Sequence, residues 1–361
     1  MKSALIITLV DNGNYGNRLQ NYAVQTVLNN LGVSCETIKS PEKFGFKTKL
    51  KHKVLKTTYL VRPNMLLKYF VRSYRRYVFE DFTKKNIRTG KYKLKNLRML
   101  GDKYDFLIVG SDQVWNINYH IVSNNRDLFF LNFSSKDKCI AFSPSFGVDT
   151  IAKDDQKLIS SLINGIKHLS VRENEGAEII SSLTQRESEV LVDPTMLLTM
   201  EEWNELIRKN SSKVRKPYIL KYFLGKQSDL QIGSIESLAN KNQLEIIELL
   251  NIKDKETYIS GPDKFIDLLN NSSLVCTDSF HGVVFSILYN KPFVIYDRDG
   301  TGAAMNSRIS TLLKKFELEN RLPGMVTEED VFWHDYENAY KILEKERFKS
   351  INFLRQAMDI L

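Results

Sequence analysis

The chain has 361 residues, 42% hydrophobic and 26% charged, with a net charge of +9 and three well-separated cysteines, Cys35, Cys139 and Cys276. That length exceeds one ordinary core and implies two domains, the composition excludes a disordered chain, and the cysteines supply neither a disulfide framework nor a zinc pair. No apolar run approaches the roughly 18 residues of a membrane span, and MKSALIITLV is too short for a signal peptide, so the expected location is cytoplasmic.

In chain order, residues 4–10 (ALIITLV) predict a buried strand and 19–32 a helix ending at Gly32. Residues 34–39 predict a second strand. After an insert, strands are expected at 104–110, 138–147, 168–174 and 189–198, with helices at 154–166 and 176–184 between them. A helix containing EEWNELIRK then precedes NSSKVRKP, where the series breaks. The second series predicts strands at 216–225, 244–250, 274–278 and 292–298, alternating with helices at 227–243, 262–272 and 282–290. This βαβ alternation predicts α/β halves with parallel sheets: two Rossmann-like domains facing a cleft, the GT-B architecture. The expected divisions are 1–200, 201–335, and a helix over 336–361 that crosses back to the first domain by analogy with other GT-B proteins.

The charge is localised. Residues 43–98 hold 18 Lys or Arg against Glu80 and Asp81, so this insert is +16 and the rest of the chain is −7. Its basic residues are mixed with Tyr59, Leu66, Leu67, Tyr69, Phe70, Tyr74, Tyr77 and Phe79. That mixture suits an anionic membrane surface; a solvated helical hairpin on the domain edge is the plainer alternative. No nucleic-acid motif accompanies it.

Four stretches lie just past expected strand ends, where ligands bind in open α/β sheets. DNGNYGNRLQNYA (11–23) has glycines for close backbone approach and Asn14, Asn17 and Arg18 for polar contact, but neither a dinucleotide fingerprint nor a P-loop. GSDQVWN (110–116) offers Asp112 and Gln113 to hydroxyls and Trp115 to a sugar face; a capped turn with a packing Trp is the alternative. SVRENEG (170–176) offers Arg172 for bidentate capture of carboxylate or phosphate, or a salt bridge to Glu173 or Glu175. TDSFHG (277–282) sets Asp278, Ser279, His281 and Gly282 at a strand-to-helix hinge. A helix N-terminus opposes an imidazolium, so an empty site is expected to hold His281 neutral, and a bound anion to favour its protonation. A satisfied core histidine is the alternative.

The order and spacing of GNYGNRLQNYA, GSDQVWN, SVRENEG, VLVDPTML, TDSFHGVVFSILYNKPFVIYDR and MNSRISTLLKKFELENR resemble the polysaccharide pyruvyl transferase family. The resemblance implies a GT-B-like fold and transfer of a pyruvyl group from phosphoenolpyruvate to a sugar of a bacterial surface polysaccharide, leaving a ketal, without a metal or other cofactor. The acceptor would be a saccharide, often lipid-linked, which would also account for the basic insert. His281 matches the family's histidine, a candidate acid for the donor's methylene carbon, and Arg172 the arginine of its Ser-Val-Arg motif. Asp112 and Asp278 are the candidate bases. The family's arginine two positions before the histidine is replaced here by Ser279, with Arg298, Arg308 and Lys221 as candidate substitutes. A GT-B glycosyltransferase using a nucleotide sugar is the alternative function.

Overall fold

The computed structural model describes residues 1–39, 63–90, 92, 97–207, 216–298, 302–333 and 335–360. The first half forms a seven-stranded sheet from β1 (Ser3–Ile7), β2 (Ser34–Ile38), β3 (Thr89–Gly90), β4 (Phe106–Val109), β5 (Cys139–Ala141), β6 (His168–Val171) and β7 (Glu189–Val190), ordered β3-β2-β1-β4-β5-β6-β7. The second half forms a four-stranded sheet from β8 (Tyr218–Tyr222), β9 (Glu245–Glu248), β10 (Leu274–Thr277) and β11 (Phe293–Ile295), ordered β11-β10-β8-β9. Every strand pairing in both sheets is parallel. The central strands are covered on both faces, with Leu5, Ile6, Leu107, Ile108 and Val275 fully buried. Double-sided burial is the reason they read as unbroken apolar runs rather than alternating ones.

Helices connect these strands: α1 (Tyr15–Asn30), α2 (Pro63–Asn86), α3 (Lys153–Asn164), α4 (Asn174–Thr184), α5 (Met200–Ile207), α6 (Asp229–Lys241), α7 (Pro262–Asn270), α8 (Phe280–Leu288), α9 (Gly302–Lys315) and α10 (Glu337–Met358). Several boundaries depart from expectation, among them the strand expected over 138–147, which pairs only at Cys139–Ala141; two have a clear local cause. Helix α1 starts at Tyr15, four residues early, because the Asn14 side chain caps it by accepting from Asn17 N–H. The strand expected over 189–198 pairs only at Glu189–Val190. Past it, Pro194 has no N–H for a ladder, and Asp193 caps a short turn at Pro194–Met196. The insert contributes α2; residues 40–62 lie outside the described residues.

Each sheet has one point where strand order reverses, between β1 and β4 in the first and between β8 and β10 in the second. The loops leaving those four strands face each other across the cleft. Apolar packing joins the halves beside them. Tyr15 of α1 stacks on Phe265 of α7 at 4.8 Å between ring centroids and meets Tyr222 of β8 edge-on, while Trp203 of α5 contacts Tyr22 and Phe285. These residues belong to one buried cluster that includes Ala4 and Ile6 of the first sheet and Leu220 and Val275 of the second. Helix α10 packs on the first half: Arg347 donates to the carbonyls of Met196 and Leu198, Phe353 stacks on Phe142, and Lys2 donates to the carbonyls of Met358 and Asp359.

Candidate active site

The facing loops enclose a cleft of about 960 Å³. His281 stands in the first turn of α8, and 92% of its surface is buried. It reaches across to the first half, where its ring lies against Gly16 of α1. A Cβ built on Gly16 would sit 2.0 Å from His281 Nδ1, so only glycine leaves room for the imidazole. The other nitrogen, Nε2, has no hydrogen-bond partner and lies 3.8 Å from Asp193 Oδ1. Burial holds the His281 pKa below its ordinary value, against the pull of Asp193. Burial thus favours the neutral imidazole in the free protein.

Asp193 is fully buried and its contacts are filled. Oδ1 accepts from Thr195 N–H and Oγ1, and Oδ2 from Arg172 Nη1 at 2.7 Å and Ser111 Oγ at 3.1 Å. Burial opposes its charge, but His281, Arg172 and Thr195 outweigh that and bring its pKa down to about 2. Arg172 is thus an internal brace. Its side chain is 1% exposed, it is clamped between Asp193 and the face of Phe280, and it does not line the cleft. Direct donor capture by Arg172 is not what this packing provides; it acts on the cleft through Asp193, His281 and Asp112.

Asp112 does line the cleft. Asn17 Nδ2 donates to it at 2.7 Å, and its φ of 74° turns the loop after β4 toward α1. Burial works against its charge, but Arg172, His281 and the hydrogen bonds from Asn17 and Gln113 N–H hold it below its ordinary range. Asp278 occupies a different environment. Its oxygens accept from Leu224 N–H, Gly225 N–H and Arg298 Nε, all within 2.9 Å, and it lies outside the cleft lining. A carboxylate so occupied is a poor base; Asp278 ties the loops after β8 and β10 together and aims Arg298.

Asn14, Asn17, Gln113, Ser279, Arg298 and Arg308 also line the cleft. The Gln113 amide, oriented by its hydrogen-bond network, accepts from both terminal nitrogens of Arg308, at 2.7 and 2.8 Å. The remaining sequence candidates are corrected. Trp115 is fully buried, stacks on Phe130 and donates to Phe129 O, so it is a core residue and presents no face to a sugar. Arg18 is also fully buried, bound to Leu9 O and Asn17 Oδ1, and it stiffens the first loop from behind. Lys221 lies on β8, 3.5 Å from Glu248, and does not reach the cleft. Gly282 lets α8 approach β10, since a Cβ there would meet Thr277 Oγ1 at 2.5 Å.

Several cleft residues were not singled out from the sequence: Asp11, Tyr119 and the α2 arginines Arg72, Arg75 and Arg76. Arg75 is 95% buried and joins three elements. It donates to Tyr15 Oη, Gly13 O and the carbonyls of Tyr258 and Ser260, with its guanidinium over the rings of Tyr15 and Phe79. The R-x-x-R-R spacing that sets these arginines on one helical face was visible in the sequence, but the density of charge around it read as surface. The described cleft lining holds five arginines and two aspartates, Asp11 and Asp112. Burial raises the Asp11 pKa against the pull of its hydrogen bond from Gly13 N–H and of Arg18 and Arg75. The cleft is built for an anion. Among the described residues no helix is long and apolar enough to cross a membrane, and no cluster of His, Cys, Asp and Glu could hold a metal ion.

The sequence model of the polysaccharide pyruvyl transferase family matches residues 14–300. Comparison with curated protein sequences gives no match. Among solved structures, the chain is similar to MnaA of S. aureus in complex with UDP (11% identity, 100% of this chain and 98% of that one, TM-score 0.51). It is also similar to a UDP-N-acetylglucosamine 2-epimerase from Rickettsia bellii (9% identity, 99% and 97%, TM-score 0.51) and to a putative one from Listeria monocytogenes (11%, 98% and 91%, TM-score 0.50). At these identities the likeness shows the fold, which is the GT-B type expected from the βαβ pattern.

Proposed function

Because the chain belongs to the polysaccharide pyruvyl transferase family, we propose that this cleft transfers the pyruvyl group of phosphoenolpyruvate to two hydroxyls of a saccharide, forming a ketal and releasing phosphate. The observation that carries the reading is His281 Nε2, buried and unpartnered in a cleft lined by arginines. Arg298 and Arg308 hold the donor's phosphate and carboxylate and take the place left by Ser279. The anionic donor, with Asp193 at 3.8 Å, stabilises the imidazolium that the empty cleft disfavours. His281 then delivers its proton to the donor's methylene carbon. Asp112 takes the proton of the attacking hydroxyl and a bond forms from that oxygen to the donor's central carbon; the second hydroxyl then bonds to the same carbon as its C–O bond to phosphate breaks, its proton returning to the now neutral His281, and the phosphate leaves with the proton held by Asp112. General acid catalysis is worth roughly 10²–10⁴-fold.

The test is phosphate release from phosphoenolpyruvate with a saccharide acceptor, alongside donor-induced thermal stabilisation. His281→Ala should lose at least 10²-fold in turnover while unfolding near the wild-type temperature. Arg298→Ala should weaken the donor-induced shift. Stabilisation by a nucleotide sugar and none by phosphoenolpyruvate would replace this reading with a GT-B glycosyltransferase.

Helix α2 supports a membrane setting for the acceptor. Leu67, Phe70, Tyr74 and Tyr77 recur at helical spacing on the face of α2 turned away from the cleft arginines and are 47–59% exposed. An exposed apolar and aromatic stripe on a strongly basic insert suits the headgroup boundary of an anionic membrane, where a lipid-linked surface-polysaccharide or capsule precursor would be held. Replacing the four by Ser should reduce co-sedimentation with phosphatidylglycerol vesicles.

A further inference from the structure

The cleft has more cationic capacity than a small donor uses. Arg298 is held by Asp278 and Arg308 by Gln113, both near His281. The other three arginines come from a separate element, α2, and line the cleft beside Gly13, Tyr258 and Leu250. Among the described residues none of them forms an ion pair with a cleft carboxylate, although Asp11 feels the charge of Arg75. Arg75 is buried, and its hydrogen bonds go to carbonyls and a phenol oxygen rather than to an acid. Among the described residues Arg76 pairs with Glu80 on its own exposed turn, and such a pair is worth little in water. The cleft's volume also stands at the upper end of the 300–1,000 Å³ typical of ligand sites, room for a second ligand beside the donor.

We propose that Arg72, Arg75 and Arg76 form a second anion subsite that binds the diphosphate of a diphosphate-linked saccharide acceptor, separate from the donor pole at Arg298, Arg308 and His281. The proposal rests on the pyruvyl-transfer reading for the word acceptor; the subsite itself does not. Arg75 is the fixed member, locked by contacts to both halves. Arg72 and Arg76, one helical turn apart on the exposed edge, close on the ligand from the mouth. Spacing of i, i+3 and i+4 puts all three within reach of one group carrying two or three charges.

The experiment is calorimetric titration of inorganic pyrophosphate, with and without saturating phosphoenolpyruvate, into the wild type, Arg72→Ala/Arg76→Ala and Arg298→Ala. Arg72 and Arg76 are exposed, so their loss leaves the core intact. Expected is pyrophosphate binding that persists with the donor present, weakens at least tenfold in the double variant and is nearly unchanged in Arg298→Ala. Competition between pyrophosphate and phosphoenolpyruvate, or binding indifferent to Arg72→Ala/Arg76→Ala, would overturn the subsite. Inorganic phosphate binding as tightly as pyrophosphate would overturn the diphosphate assignment. Geranyl diphosphate and UDP, titrated in parallel, tell a lipid carrier from a nucleotide carrier; either supports the subsite if it depends on Arg72 and Arg76. If phosphoenolpyruvate itself fails to bind, the pyruvyl reading fails, and the response of pyrophosphate to the α2 arginines still decides the subsite.

Discussion

The contact between Gly16 and His281 makes the sharpest prediction. A methyl group at position 16 would sit 2.0 Å from Nδ1 and 2.2 Å from Cγ of the imidazole, well inside any tolerable separation. Helix α1 cannot retreat, because Tyr15 is stacked on Phe265 and Arg18 is bound to Leu9 O. The imidazole must swing instead, away from Asp193. Overpacking of this kind costs about 1–3 kcal/mol, and each kcal/mol lowers the unfolding temperature of a chain of this size by about 2–4 °C. The catalytic loss should be larger, since a displacement of about 1 Å in a reacting group can cost 10²-fold. Gly16→Ala should therefore stay folded at 25 °C and lose at least two orders of magnitude in phosphate release. Gly233, exposed on α6 with nothing near its Cβ position, is the control; Gly233→Ala should gain about 0.4–1 kcal/mol and keep its activity. Wild-type turnover in Gly16→Ala would show that the reaction does not use His281 where it stands.

Donor binding should take up protons, because burial keeps His281 neutral in the empty cleft and the bound anion protonates it. Calorimetry at pH 7 in buffers of different ionisation enthalpy should show this uptake in the wild type and a smaller one in His281→Ala; equal uptake in both would remove His281 as the acceptor of that proton. Asp193 gives an acid-side prediction. Its folded pKa of about 2 lies below the ordinary 3.8, so its ionisation adds roughly 2 kcal/mol of stability, complete above about pH 4 and lost as the pH falls toward 2. Urea unfolding of Asp193→Asn should show a deficit of about 3–5 kcal/mol at pH 7, from the buried Arg172 charge left without its 2.7 Å partner, that narrows below pH 4; a deficit independent of pH would contradict the assignment. Trp115→Phe should cost about 1–2 kcal/mol through the lost bond to Phe129 O and leave the acceptor KM unchanged, whereas a raised KM would restore Trp115 to the sugar site.

Much of this was legible in the sequence because strand burial and strand ends leave strong local marks. The runs at 4–10 and 274–278 proved to be central parallel strands, and the loops after β1, β4 and β10, with the first turns of the helices that follow, supplied the cleft with Asn14, Asn17, Asp112, Gln113, Ser279 and His281. What failed was direction. Residue type and loop position cannot tell a side chain aimed into a cleft from one aimed behind it, which is why Trp115 and Arg18 passed as ligand contacts and proved to be packing. Asp278 failed for a related reason: its carboxylate is consumed by two backbone N–H groups that only the fold brings near. Asp193 looked like the end of a strand, and nothing local marks it as the carboxylate beneath a histidine 88 residues away in sequence. Arg75 was hidden by company, one buried cation among many exposed ones.

The shared core between the halves bears on how such a protein can diversify. Where two lobes meet only through a linker, recombination can pair the donor lobe of one relative with the acceptor lobe of another. Here Tyr15, Tyr22 and Trp203 are packed into Tyr222, Phe265 and Phe285, and His281 fits only against a glycine on the opposite lobe. A chimera must match that whole surface or lose both its core and its histidine. Change is tolerated more readily at exposed positions on the cleft's lip, such as Arg72 and Arg76, with the lobes inherited as one block.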